Sequence, residues 1–220
     1  MYNELSNKII EAIKLDSSPV AVSFSIEIPL DIPQMKGELR LCQMLDKARR
    51  KKDVFYALVE NHRCDGGSVS CGLKERNERS RTGEFLYSEL GLFGSKRAAR
   101  RFINSNPRIE FSTVKVTTFA PLEKATFEPD VVVIICNAKQ GMILTEATTF
   151  ETGKRTLGMT GPPICSSIVA APFLTGEVVY SMGDSGARKY MKITDGDVYV
   201  GIPGELFPDI VDNLCKLKFS

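Results

Sequence analysis

The run DVVVIICNAKQGMILTEATTF, Asp130 to Phe150, decides the fold class. Val131 to Cys136 is apolar without alternation, the pattern of a strand covered on both faces. From Asn137 the pattern changes to that of a weaker helix, interrupted by Gly141. A doubly buried strand that leads into a helix predicts a sheet with helices packed on its faces.

Working outward, the same alternation continues. Upstream, VKVTTFA reads as a strand, and so does DVFYALVE, which is apolar on both sides and expected to be central. PVAVSFSI is a strand with Val20, Val22, Phe24 and Ile26 on one side. Leu5, Ile9 and Ile13 give an opening helix one apolar stripe, and Cys42 to Lys51 reads as a second helix. Helices are expected at Glu84 to Leu90 and Ser95 to Ile103, the latter capped by Ser95 and stopped at Asn104-Ser105-Asn106-Pro107. Downstream, GMTGPPICSSIVAAPFLTG is a Gly-rich turn opening a helix that Pro172 limits. EVVYSM and DVYVGIP are strands, and ELFPDIVDNLCKL is a closing helix. The expectation is one domain over residues 1–220, α/β or α+β, with a mixed sheet of about five or six strands.

Composition narrows the function classes. At 43% hydrophobic and 25% charged residues, the chain is an ordinary globular protein. No apolar run reaches the roughly 18 residues of a membrane span, and the amphipathic start MYNELSNKIIEAIKLD is not a signal peptide. A cytoplasmic protein with no membrane partner is therefore expected. A net charge of +2 demands no polyanionic partner. The charge is uneven: residues 36–101 carry 16 Lys/Arg against 9 Asp/Glu, a net +7 that leaves -5 elsewhere. Lys96, Arg97, Arg100 and Arg101 share one helix face, which reads first as a solvated face and second as a phosphate contact. Nucleic acid is not an expected partner; an unidentified small molecule or a metal is, and homo-oligomerisation stays open.

Six Cys and a single His, with no Trp, are the unusual part. In a reducing compartment, thiols point to metal or redox chemistry before disulfides, although free Cys is also a common core residue. Cys215 has core-like spacing in the closing helix, and Cys136 ends a buried strand. At the carboxyl end of a parallel strand Cys136 would sit where α/β folds place ligands. Cys42, Cys64, Cys71 and Cys165 lie at helix starts or in Gly-rich segments, where backbone N–H groups are close. These four, with His62, are the candidate metal ligands for an iron–sulfur cluster or zinc. The local spacing, Cys64-x₆-Cys71 with Cys42 and Cys165 distant, is neither a zinc ribbon nor a ferredoxin run, so the fold must gather them. His62 reads otherwise as a general base to a thiol or as a turn histidine.

The helix start at Cys165 also suits an anion, and Gly161, Ser166 and Arg188 are the candidate ligand-binding residues there. Gly183-Asp184-Ser185-Gly186 spells the nucleophile tetrad of trypsin-like proteases, but Ala187-Arg188 replaces the following Gly-Pro and the strand pattern is not a double barrel. It reads as a tight turn. Neither GxGxxG nor GxxxxGK[ST] occurs. No catalytic residue is assigned.

Taken in order, SPVAVSFS, LCQMLDKARRKKDVFYALVENHRCDGGSVSCGL, GPPICSSIVAAPFLTGEVVYSMGDSGARKY and DVYVGIPGELFPDIVDNL resemble domain-of-unknown-function family 169 over nearly the whole chain. The resemblance implies a cysteine at Cys42, a His-x-Cys loop at His62-Arg63-Cys64 and a Gly-x-x-Gly-x-Arg turn at Gly183 to Arg188. It also implies that this turn often carries a second thiol where this chain has Asp184, a departure at one ligand position. It implies no reaction. The leading expectation is a metal- or iron–sulfur-binding protein with a redox or cofactor-related role. The alternatives are a metal-free protein for a small anionic metabolite and an interaction module using the basic helix.

Overall fold

A computed structural model describes residues 1–218. Its centre is one sheet of seven strands: β1 (Val20–Ser25), β2 (Phe55–Ala57), β3 (Val116–Pro121), β4 (Val131–Asn137), β5 (Leu157–Gly158), β6 (Val179–Ser181) and β7 (Asp197–Pro203). Their order is β2-β3-β1-β4-β7-β6-β5. All neighbours are antiparallel except β5 and β6, so the sheet is mixed, with one strand more than the sequence pattern suggests. The additional strand is β5, only two residues long and exposed, too short for a periodic signal.

Alternation along β4 divides the core. Val131, Val133 and Ile135 face one side with α2 (Leu41–Lys51), and Val132, Ile134 and Cys136 face the other. That second side packs on α1 (Tyr2–Ile13) and the closing helix Phe207–Lys216, whose Ile9, Ile13, Ile210 and Leu214 are buried. Helix cover on both faces explains why an essentially antiparallel sheet has a strand with no polar side.

Three local expectations are corrected. DVFYALVE is not central: β2 is an edge strand, and its outer side is covered by loop residues 33–35, with Met35 N–H donating to the Tyr56 carbonyl and Tyr56 N–H to that of Pro33. Pro172 does not end its helix. It lies inside a helical run that continues from the π-type turn Ser166–Ala170 through Ala171–Thr175, and Gly176 in the left-handed region ends that run. Cys215 is exposed, because the buried stripe of the closing helix runs through Ile210, Leu214 and Val211, and Cys215 lies about 40° beyond Val211 at its edge, in the last turn.

Gly201 of β7 positions the site described below. A Cβ there would stand 2.2 Å from the Ile168 carbonyl oxygen, so only glycine lets the π-type turn Ser166–Ala170 lie directly on the sheet. That turn carries Cys165 at its entrance.

Candidate functional site

Four segments meet on the α2 side of the sheet. The first turn of α2 brings Cys42, and the loop after β2 brings His62 and Cys64. A short helix, α3 (Asp65–Ser70), runs from Cys64 to Cys71, and the Pro162-Pro163 turn delivers Cys165. Asn61 ties the second segment to the loop before α2: its side-chain amide donates to the Met35 and Gly37 carbonyls, Leu39 N–H donates to the Asn61 carbonyl, and the Leu39 carbonyl accepts Arg63 N–H. Cys42, Cys71 and Cys165 belong to one buried cluster, and Cys64 is half-buried at its edge.

The thiols lie within range of one another's charge. Burial pushes Cys165 far up from the ordinary thiol value, and Cys64, Cys42 and Cys71 each add to the rise. Cys42 is pushed up to about 12, first by burial, then by Cys64 and Asp184. Cys71 is raised by burial and by Cys64. Thiolate is disfavoured here because burial and the neighbouring thiols outweigh the opposing pull of Arg40 on Cys42.

His62 supplies the unusual atom. Thr117 Oγ1 lies 3.2 Å from its Nε2 and donates its own proton to the Ala57 carbonyl at 3.3 Å. With that proton given to Ala57, Thr117 accepts from His62, and the imidazole proton is assigned to Nε2. Burial holds the ring pKa down to about 4, so it is neutral near pH 7. Nδ1 is left with a free lone pair, buried and without a hydrogen-bond partner among the described residues. It borders Gly67, as Cys64 Sγ does. The place a Gly67 Cβ would take is 3.5 Å from both His62 Nδ1 and Cys64 Sγ, and only 2.7 Å from Leu41 Cβ.

Asp184 braces the site from outside. Its carboxylate accepts Ile164 N–H at 2.6 Å and Ala187 N–H at 2.7 Å, joining the Cys165 turn to the helix Ser185–Tyr190. Above Cys64 opens a cavity of about 390 Å³, with Arg40 and Arg63 on its polar side and Phe85, Leu86 and Pro163 on its apolar side. Arg40 stacks on Tyr190 at 4.1 Å. A larger cavity of about 550 Å³ lies far from the thiols beside the closing helix, and its Lys154 and Lys216 are already paired with Glu177 and Glu151.

The other sequence-derived residues have identifiable settings. Arg188 directs Nε and both terminal nitrogens at the carbonyls of Met182, Thr194, Asp195 and Asp197, so its guanidinium clamps the loop before β7. The Ser166 hydroxyl donates to the Pro107 carbonyl at 2.6 Å. Gly161 lies under the Phe102 ring, where a Cβ would meet it at 2.5 Å. Cys136 is buried on the opposite face of the sheet from Cys42, Cys71 and Cys165, and its strand has antiparallel neighbours on both sides, so the parallel-strand argument does not apply. Ser185 of the protease-like tetrad is exposed, and the imidazole's bond goes to Thr117. The roles of Thr117 and Gly67 escaped the sequence pattern, and Asp184 stood out there only as a departure from the family's thiol. A buried Thr pair in an otherwise apolar strand and the second glycine of Gly66-Gly67 were the only signals.

Soft donors, four thiols and one imidazole, suit zinc, copper(I) or an iron–sulfur cluster far better than magnesium or calcium. The orphaned Nδ1 and the gap over Gly67 fit such a group in kind. In geometry the fit is incomplete: among the described residues, no three His, Cys, Asp or Glu side chains form a ready ligand set. No helix is long and apolar enough to cross a membrane.

The architecture and this pocket define an α/β protein with a buried thiol–imidazole cluster. The chain belongs to the family DUF169, described as uncharacterised ArCR, whose model matches residues 8–213. It is similar to "Uncharacterized protein MJ0308" of Methanocaldococcus jannaschii, at 32% identity over 95% of this chain and 91% of that one. No solved structure matches it.

Proposed function

We propose that Cys42, His62, Cys64, Cys71 and Cys165 are the donors of a soft metal centre, zinc or an iron–sulfur cluster, in a cytoplasmic protein with a redox or cofactor-related role. The observation that carries this reading is the lone pair of His62 Nδ1, buried without a partner and bordering Gly67 together with Cys64 Sγ, on the face of the sheet where Cys42, Cys71 and Cys165 are buried. An orphaned buried acceptor costs about 1–3 kcal/mol, and a metal ion satisfies it. A bound cation also reverses the thiol pKa logic, releasing protons as thiolates form. Coordination would require these side chains to close up, because no three of them form a ligand set as they stand among the described residues. Thr117 then acts on the imidazole from behind, fixing its tautomer and direction.

The test is anaerobic purification followed by visible spectra and iron, sulfide and zinc analysis. Stoichiometric metal, lost in Cys64→Ser and Cys165→Ser, supports the reading. A colourless, folded protein that takes up neither zinc nor iron with sulfide refutes it. The cavity over Cys64 favours a second reading, a small anionic metabolite bound without metal. Arg40 and Arg63 would hold its charge, and carboxylate-induced thermal stabilisation that disappears in Arg63→Ala would separate it from the first.

A further inference from the structure

At the far end of α3 from Cys64, the chain builds a second and different site. Arg76, Arg81 and Arg108 line a cleft of about 220 Å³ together with Lys74, Ile109 and Phe111. Three guanidiniums around one small space repel each other, and none has a carboxylate partner among the described residues. Glu75 also lines the cleft but pairs with none of them, and Lys74 is turned to Asp65 at 2.6 Å. Burial lowers the Arg76 pKa, and Arg108 and Arg81 lower it further, a direct expression of the crowding.

The crowding is held in place by structure. Arg76 is anchored through Nη1 to the Ile103 carbonyl and to Asn104 Oδ1, at 3.3 and 3.0 Å. Arg108 sits between two pinned groups: the Pro107 carbonyl accepts from Ser166, and Ile109 N–H donates to the Ser70 carbonyl. Arg81 ends a short helix, Glu78–Arg81, capped by Asn77. These tethers hold like charges together that solvent and entropy would otherwise spread.

We propose that Arg76, Arg81 and Arg108 form a binding site for a phosphate dianion, free or as the phosphate of a small ester. Planar, forked donors converging from three segments match a tetrahedral oxyanion, and the cleft volume admits one phosphoryl group. Phe111, half-exposed at the rim, offers a face to the remainder of an ester. This site is separate from the thiol cluster and from the Arg40–Arg63 cavity.

Isothermal titration of the full chain at pH 8 and low salt, with inorganic phosphate, glycerol 3-phosphate and chloride at matched ionic strength, tests it. Saturable one-to-one binding of either phosphate compound, absent with chloride, is expected. Which of the two binds tells the source of the phosphate. Arg81→Gln and Arg108→Gln, both at exposed positions, should each weaken binding about tenfold, the equivalent of one charge-assisted hydrogen bond. Absence of saturable binding, or affinity unchanged in both variants, overturns the proposal. So does equal loss in Arg63→Gln, which would place the phosphate over Cys64. Binding of an RNA oligonucleotide without any binding of the small phosphates would overturn it in favour of a nucleic-acid surface.

Discussion

Acidification provides a direct probe of His62. Its folded pKa is held at about 4, whereas an unfolded chain titrates near 6.5. Below pH 6.5 the unfolded chain therefore binds a proton that the folded one refuses. Stability present at neutral pH is lost as the pH falls, by up to about 1.4 kcal/mol per unit, and the loss levels off below pH 4. The full difference, about 2.5 units, corresponds to roughly 3 kcal/mol, and about 2 kcal/mol should vanish between pH 6.5 and 5. That window is clean, because His62 is the one histidine of the chain and ordinary carboxylates titrate lower. Urea denaturation of the metal-free, reduced protein at pH 7, 6 and 5 measures the slope, and ring-proton shifts in NMR measure the midpoint. In His62→Gln the slope should flatten. A folded-state midpoint at or above 6.5, or a slope that survives His62→Gln, would refute the claim that Nδ1 is buried and unprotonated.

Three further outcomes follow from the same geometry. Gly67→Ala should lose about 1 kcal/mol in urea denaturation: overpacking against Leu41 costs about 1–3 kcal/mol, against a helix-propensity gain of roughly 1. A stabilised variant would mean that Leu41 does not close on Gly67. Iodoacetamide at pH 8, read by mass spectrometry, should label Cys215 and Cys64 first and leave Cys42, Cys71, Cys136 and Cys165 intact until urea is added. Native-state labelling of Cys165 as fast as Cys64 would contradict its burial. Arg188→Ala should destabilise the fold by about 2 kcal/mol through four unclamped carbonyls while leaving phosphate affinity unchanged, and a large affinity loss would return Arg188 to a ligand role.

Sequence pattern carried the fold wherever one physical signal dominated. Leu5, Ile9 and Ile13 mark the buried stripe of α1, Ser95 accepts the Ala98 N–H as a helix cap, and Val131 to Cys136 is buried on both faces. Tertiary cover hid the rest. β2 looks central because loop residues 33–35 shield its outer edge, and β5 is too short to alternate. Cys215 has core spacing but lies past the packed arc of its helix. For the site, residue type and glycine context singled out Cys42, His62, Cys64, Cys71 and Cys165, yet spacing could not say that four segments meet. The roles of Thr117 and Gly67 depend on contacts 55 residues apart or on a missing Cβ, which no local pattern encodes.

Cobalt(II) titration of the reduced, metal-free protein under anaerobic conditions tests the thiol–imidazole site most directly. One equivalent should produce thiolate-to-cobalt charge-transfer bands and tetrahedral d–d absorption, with zinc displacing it. The bands should weaken in His62→Gln and disappear in Cys64→Ser combined with Cys42→Ser. A titration that yields only the spectrum of hydrated cobalt, in a protein that remains folded, would contradict the site.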